Sequence, residues 1–217
     1  MTSPHKLRNL TMKELQREIN LPEEQRDLIA NGPSSPTLLN LLTERELLSE
    51  ATRLLSYALP VREAVWWACM CVRHVLPLVT LPAEQEAALT AAEEWVRKPC
   101  IAERMKTHSA CANAGYFTPA GWVAQAAFSS EMSISIPRAS GGKVEKAVSL
   151  AAIYRGEDHQ PERLKRFIVS GRDIATGGAG RLPPESPGIV VRACVRQRGG
   201  ICAGAELNFG PFDQGRR

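Results

Sequence analysis

The sequence predicts a mainly α-helical protein: a compact bundle of about seven helices, with a short helical N-terminal arm and a C-terminal tail. Three observations carry this. Residues 64–72 are nine consecutive apolar residues that begin one turn after Pro60, and a helix apolar nearly all round is buried on all sides. Apolar residues elsewhere recur at spacings of three and four, the helical period. Proline or a Ser/Thr capping residue stands at the start of most of these stretches.

Residues 1–42 form the arm. Thr11 and Glu14 have capping-box spacing, so a short helix is expected to run to Asn20. Pro22 opens another that should stop by Asn31-Gly32, and Pro33-Ser34-Ser35-Pro36 reads as a linker. Leu15, Ile19, Leu28 and Ile29 either dock this arm on the body or leave it loosely attached.

Residues 43–177 form the helical domain. Thr43 and Glu46 suggest a second capping box, followed by Leu47, Leu48, Ala51, Leu54 and Leu55 at helical spacing. Pro60 begins the central helix, Pro82 begins another through Ala88, Ala92 and Trp95, and Pro99 begins a third. The third should end at Gly115, a residue suited to the left-handed C-terminal position. Thr118 caps a helix with Pro119 at its first position, and Phe117 and Trp122 stand where a hydrophobic staple would place them. Val144, Ala147, Val148, Ala151 and Tyr154 mark the next helix. Leu164, Phe167, Ile168 and Ile174 mark the last, which ends at Gly177-Gly178. Trp67, Trp95 and Trp122 lie 28 and 27 residues apart, but their flanks do not match, which favours a bundle over a helical solenoid.

Residues 178–217 form a basic tail. Valine-rich residues 189–198, then Gly199-Gly200, then residues 201–209 give the pattern of a β-hairpin. A lone hairpin is marginal in water, so a flexible tail is the other reading.

Charge narrows the function. The chain carries 27 Lys and Arg against 23 Asp and Glu, a net charge of +4. Residues 1–176 contribute +1 and residues 177–217 contribute +3. A near-neutral body lacks the concentrated basic face of a nucleic-acid binder. Six cysteines without a Cys-x-x-Cys pair, several of them inside predicted helices, fit a reducing cytosol better than a disulfide scaffold. The N-terminus lacks the apolar run of a signal peptide, and Arg73, His74 and Pro77 interrupt the longest apolar stretch, so no membrane span and a cytoplasmic location are expected.

The candidate chemistry is sparse. Arg62, Trp66, Cys69 and Arg73 fall on one side of the central helix, since spacings of 4, 7 and 11 return to nearly one angle. An indole between two guanidinium groups suits a peptide or an acidic ligand. The plainer reading is that the arginines snorkel outward or pair with acids such as Glu63 and Glu94. Arg192, Arg196 and Arg198 in the tail make a competing basic site. Cys71 with His74 and His108 with Cys111 each share a helix face, which zinc could use, but packing fits them better and no metal is expected. Ser140-Gly141-Gly142-Lys143 lacks the leading Gly and following Ser/Thr of a phosphate loop and is expected to be a plain loop. Residues 129–142 read either as an extended edge offered to a partner or as a loop over the core. No nucleophile motif is present, and no cofactor is expected.

The stretches LLSEATRLLSYALPVREAVWWACMCVR at 47–73, AALTAAEEWVRKP at 87–99, AGYFTPAGWVAQAAF at 114–128 and KAVSLAAIYRGEDHQPERLKRFIVSGRDIATG at 146–177 resemble, in that order, the blocks of an uncharacterised bacterial helical family of unknown function. The resemblance implies Gram-negative bacteria, with some members encoded near type VI secretion genes, and it transfers no catalytic residues. The expected function is a non-enzymatic protein-interaction module, an adaptor or accessory protein of a bacterial secretion system with a protein partner. The alternatives are a small enzyme or effector with an unrecognised active site, and a toxin-immunity protein. An enzyme should show a deep polar pocket with converging ionisable groups, and a binding module an exposed apolar or aromatic surface.

Overall fold

The computed structural model describes residues 6–19, 21–75, 81–130, 138–154, 156–183 and 185. Among these, every regular element is helical. Among the described residues there are ten α-helices: α1 Met12–Glu18, α2 Asp27–Ala30, α3 Ser35–Glu44, α4 Leu48–Ala58, α5 Val61–Val75, α6 Ala83–Arg97, α7 Ile101–Ala114, α8 Pro119–Ser129, α9 Arg138–Ala152 and α10 Gln160–Ala175. Helices α4 to α10 stand where seven were expected, α1 and α2 lie in the expected arm, and α3 is additional. Short 3-10 turns precede α2 and α10. Chain contacts divide the protein into Met1–Pro187 and Gly188–Arg217. The second unit, with the expected hairpin and Arg192, Arg196 and Arg198, lies outside the described residues, as do residues 131–137.

Helix α5 is the axis of the bundle, packing on α4, α6, α8, α9 and α10. Its apolar run leaves Ala64, Val65, Trp67, Ala68, Cys69, Cys71 and Val72 buried. Contacts between helices distant in sequence, α4 with α9 and α10 with both α4 and α5, make this a bundle and not a solenoid. Small residues set the close spacing: Ala120, Ala124, Ala126 and Ala127 of α8 are buried, as are Ala147 and Ala151 of α9. The N-terminal segment shares this core, with Leu15, Ile19, Leu28 and Ile29 all buried. Two backbone bonds tie it down, from Lys6 N to Ala175 O at 2.7 Å and from Arg8 N to Ala58 O at 2.9 Å.

Several predicted punctuation marks are present. Thr11 and Glu14 form a reciprocal capping box. Thr118 Oγ1 accepts from Gly121 N at 3.0 Å, and the Phe117 and Trp122 rings meet edge to face. Gly115 ends α7 at φ 85°, and α10 ends with Gly177 at φ 97°. There Gly178 N reaches Asp173 O at 2.8 Å and Gly177 N reaches Ile174 O at 3.0 Å, a Schellman motif.

Others are displaced. The Pro33–Pro36 cluster is no linker: Ser34 accepts from Thr37 N, and Pro36 sits in the first turn of α3, where a missing N–H costs nothing. Thr43 therefore caps no helix; it lies in α3 and donates to Leu39 O at 2.7 Å. Pro60 and Pro82 stand just before α5 and α6, and α7 starts at Ile101, two residues past Pro99. Ser140-Gly141-Gly142-Lys143 is helical, inside α9. A Cβ at Gly141 would stand 2.7 Å from the Tyr57 ring and 3.1 Å from Ser56 O, so the glycine lets α9 approach α4. It has no role as a phosphate loop.

Candidate functional site

The four residues that share a side of α5 receive different partners. Cys69 is fully buried, and burial pushes its thiol pKa well up, leaving it an inert packing group. Arg73 bridges α5 to α6, with Nε and Nη2 on Glu93 at 2.9 and 3.2 Å and Nη1 on Glu86 at 2.6 and 2.7 Å. Burial opposes its charge, but the carboxylates of Glu93 and Glu86 outweigh burial and raise its pKa. This arginine is spent within the fold, on acids other than the Glu63 and Glu94 expected.

Arg62 and Trp66 remain together at the surface. Arg62 Nε donates to Val96 O at 2.6 Å, satisfying an orphan carbonyl in the last turn of α6. That bond anchors Nε, and the Nη groups carry no hydrogen bond among the described residues. Half-buried Trp66 donates Nε1–H to Ala179 O at 2.8 Å. Around them opens a cleft of about 380 Å³, at the small end of the roughly 300–1,000 Å³ of ligand sites. Lys6 and Glu63 rim it, paired at 3.5 Å, and so does Arg97, which pairs with Glu94. Val96 and Ile174 supply apolar floor beside the indole. The helical angle identified Arg62 and Trp66. It gave no sign of Lys6, Val96, Arg97 or Ile174, which come from three other parts of the chain.

The strap that closes one side of the cleft was also silent in the sequence. Residues 178–183 and 185 run back over α10 and α5 and are fastened at each step. Gly180 N donates to Asp173 Oδ2 at 2.8 Å, and Ser170 Oγ donates to Gly180 O at 2.5 Å. His74 Nδ1 bonds Pro183 O, and Glu185 N donates to His74 O at 2.9 Å. Arg163, only 1% exposed, pairs through Nε with Glu185 at 2.9 Å and donates to the Ala152 and Tyr154 carbonyls. A glycine-rich, proline-containing stretch carries no periodicity, so nothing local announces that it is anchored.

The remaining candidates separate. Cys71 is fully buried, His74 faces the edge of Phe167, and His108 stacks on Phe128. Among the described residues no three His, Cys, Asp or Glu side chains converge as a metal site. A hollow of about 510 Å³ between α6 and α7 is lined by small residues such as Ala83, Ala87, Ser109 and Ala110 and offers no aromatic or Arg anchor. Among the described residues no helix is long and apolar enough to cross a membrane.

Fold and site together define a helical bundle that, among the described residues, carries a small, open surface cleft lined by arginine, indole and aliphatic side chains. The chain belongs to a family of unknown function, DUF6931, whose model matches residues 38–175. The match runs from α3 to the end of α10 and includes Arg62, Trp66, Val96, Arg97 and Ile174. No curated protein and no solved structure matches the chain.

Proposed function

We propose that this protein is a non-enzymatic protein-interaction module and that the cleft around Arg62 and Trp66 is its binding site. One observation carries the reading: a surface indole and a guanidinium bonded through Nε to Val96 O stand together in one cleft, with both Nη groups unused among the described residues. Trp and Arg are the residue types that dominate binding hot spots. Its other ionisable groups are held in ion pairs, Lys6 with Glu63 and Arg97 with Glu94, so we read its side chains as holding a ligand and not transforming one. An accessory or adaptor role in a bacterial secretion system is the finer version. It rests on the family resemblance alone, as does a bacterial origin; a cytoplasmic setting rests on the cysteine usage and the N-terminal sequence.

Capture of the partner by tagged protein, followed by mass spectrometry, tests the reading with three variants. Arg62→Met and Trp66→Phe should each weaken capture of the same partner by about 1 kcal/mol or more. Removal of residues 186–217 should leave capture intact, since the strap and the cleft remain. Capture lost only with the truncation would move recognition to Arg192, Arg196 and Arg198. Turnover of a substrate by the purified protein would favour the enzyme or effector alternative. Neutralisation of a toxin by the captured complex would identify an immunity protein.

A further inference from the structure

We infer that the cleft takes an acidic peptide segment, in which an internal Asp or Glu lies next to an aliphatic or aromatic residue. The inference rests on the proposal that the cleft is the binding site, and it adds the chemistry of the occupant.

The charge balance inside the cleft points to this. Lys6 is offset by Glu63 at 3.5 Å, and Arg97 is offset by Glu94. Arg62 is the rim cation whose partner is a carbonyl and not a carboxylate. Among the described residues its positive charge has no carboxylate partner, and its Nη pair keeps the fork that matches a carboxylate. The α6 C-terminus beside it carries partial negative charge, which would repel an anion. Arg62 itself covers that end through Val96 O, so the same side chain screens the dipole and presents the fork.

The floor sets the second requirement. Trp66 is half-buried, whereas Val96 and Ile174 are only 8% and 2% exposed, so the apolar surface that the cleft offers beside the guanidinium is chiefly the indole, backed by these two buried side chains. A bare carboxylate would leave that surface wet, whereas an apolar neighbour in the ligand would cover it. The cleft is open to solvent and not enclosed. A continuous chain can therefore cross it and bring an internal acidic residue to Arg62.

The test is panning of a phage library of random twelve-residue peptides, fused at their C-terminal ends so that no free carboxylate is displayed, against the full chain. Enriched sequences are then synthesised with amidated C-termini and a fluorescein label for anisotropy. The expected result is an Asp or Glu beside a Leu, Ile, Phe or Trp. Changing that acid to its amide should weaken binding about tenfold or more. Arg62→Met should weaken it similarly, with little further loss when both changes are combined, and Arg62→Lys should fall between. Circular dichroism of each variant checks the fold, and the peptide change reports even where Arg62→Met does not fold. Enriched peptides without acids that still lose affinity in Trp66→Phe would overturn the acidic occupant and leave the cleft standing. Peptides that bind both variants as they bind the unchanged protein would overturn the cleft as well. A failure to enrich any peptide counts against the inference.

Discussion

Trp66 and Trp67 are adjacent and have opposite fates. Trp67 is fully buried and donates Nε1–H to Phe167 O at 2.8 Å. Gly171 makes room for it, since a Cβ there would stand 3.2 Å from the indole nitrogen and 2.8 Å from Leu55 Cδ1. Trp67→Ala should therefore cost about 3–5 kcal/mol by chemical denaturation. Gly171→Ala should cost about 1–3 kcal/mol through overpacking. Denaturation midpoints that hardly move would show that this contact is not central. Arg62, Trp66, Cys69 and Arg73 share an angle on the helix, and that angle was legible in the sequence. What each one meets was not, because partners such as Val96, Glu86, Glu93 and Ala179 are fixed by the packing of other elements.

His74 belongs to the same scale. It is 2% exposed, its Nδ1 bonds Pro183 O, and its Nε2 has no partner among the described residues. Burial lowers its pKa from the ordinary 6.5; the Pro183 carbonyl and Glu185 pull upward, and Arg166 and Arg163 pull downward. The unfolded chain takes up the proton first as pH falls. Its contribution to stability is thus complete above the unfolded value and is lost as pH drops through the lower folded value. Urea midpoints measured from about pH 7.5 to about pH 5 should fall for the unchanged protein and fall less steeply for His74→Gln. An identical slope in the two proteins would remove His74 from the account.

At the scale of elements, local chemistry explains which helices were foreseeable. Thr11 with Glu14, Thr118 with Pro119, and Gly177 after α10 act through atoms a few residues apart, so sequence spacing exposes them. Helix α3 was hidden because Pro33 and Pro36 read as breakers, although Pro36 sits in the first turn where proline is tolerated. The start of α9 was hidden because Gly141-Gly142 is a weak helix former. Its glycine is needed for contact with Tyr57, a residue more than eighty positions earlier. Gly141→Ala should destabilise by about 1–3 kcal/mol. Restoring room with Tyr57→Leu should recover part of that loss. A neutral Gly141→Ala would mean that α4 and α9 have slack the packing does not show.

At the scale of the molecule, one core runs from Leu7 to Ala175, and the strap fastens across α10 and α5. The domain boundary read at residue 177 came from composition, which changes there, while the hydrogen bonds continue to Glu185. Glu185→Ala leaves Arg163 buried with only its two carbonyl partners and should cost about 1.5–3 kcal/mol in thermal or urea unfolding. We propose that this arrangement presents the cleft to a partner. Site-specific photo-cross-linking tests it most directly, with a photoreactive phenylalanine derivative placed at Arg97 on the cleft rim or at Phe117, 85% exposed in the α7–α8 turn. The expected result is one discrete partner adduct from position 97, lost when Arg62→Met is added, and none from position 117. An adduct from position 117, or one from position 97 that survives Arg62→Met, would contradict it.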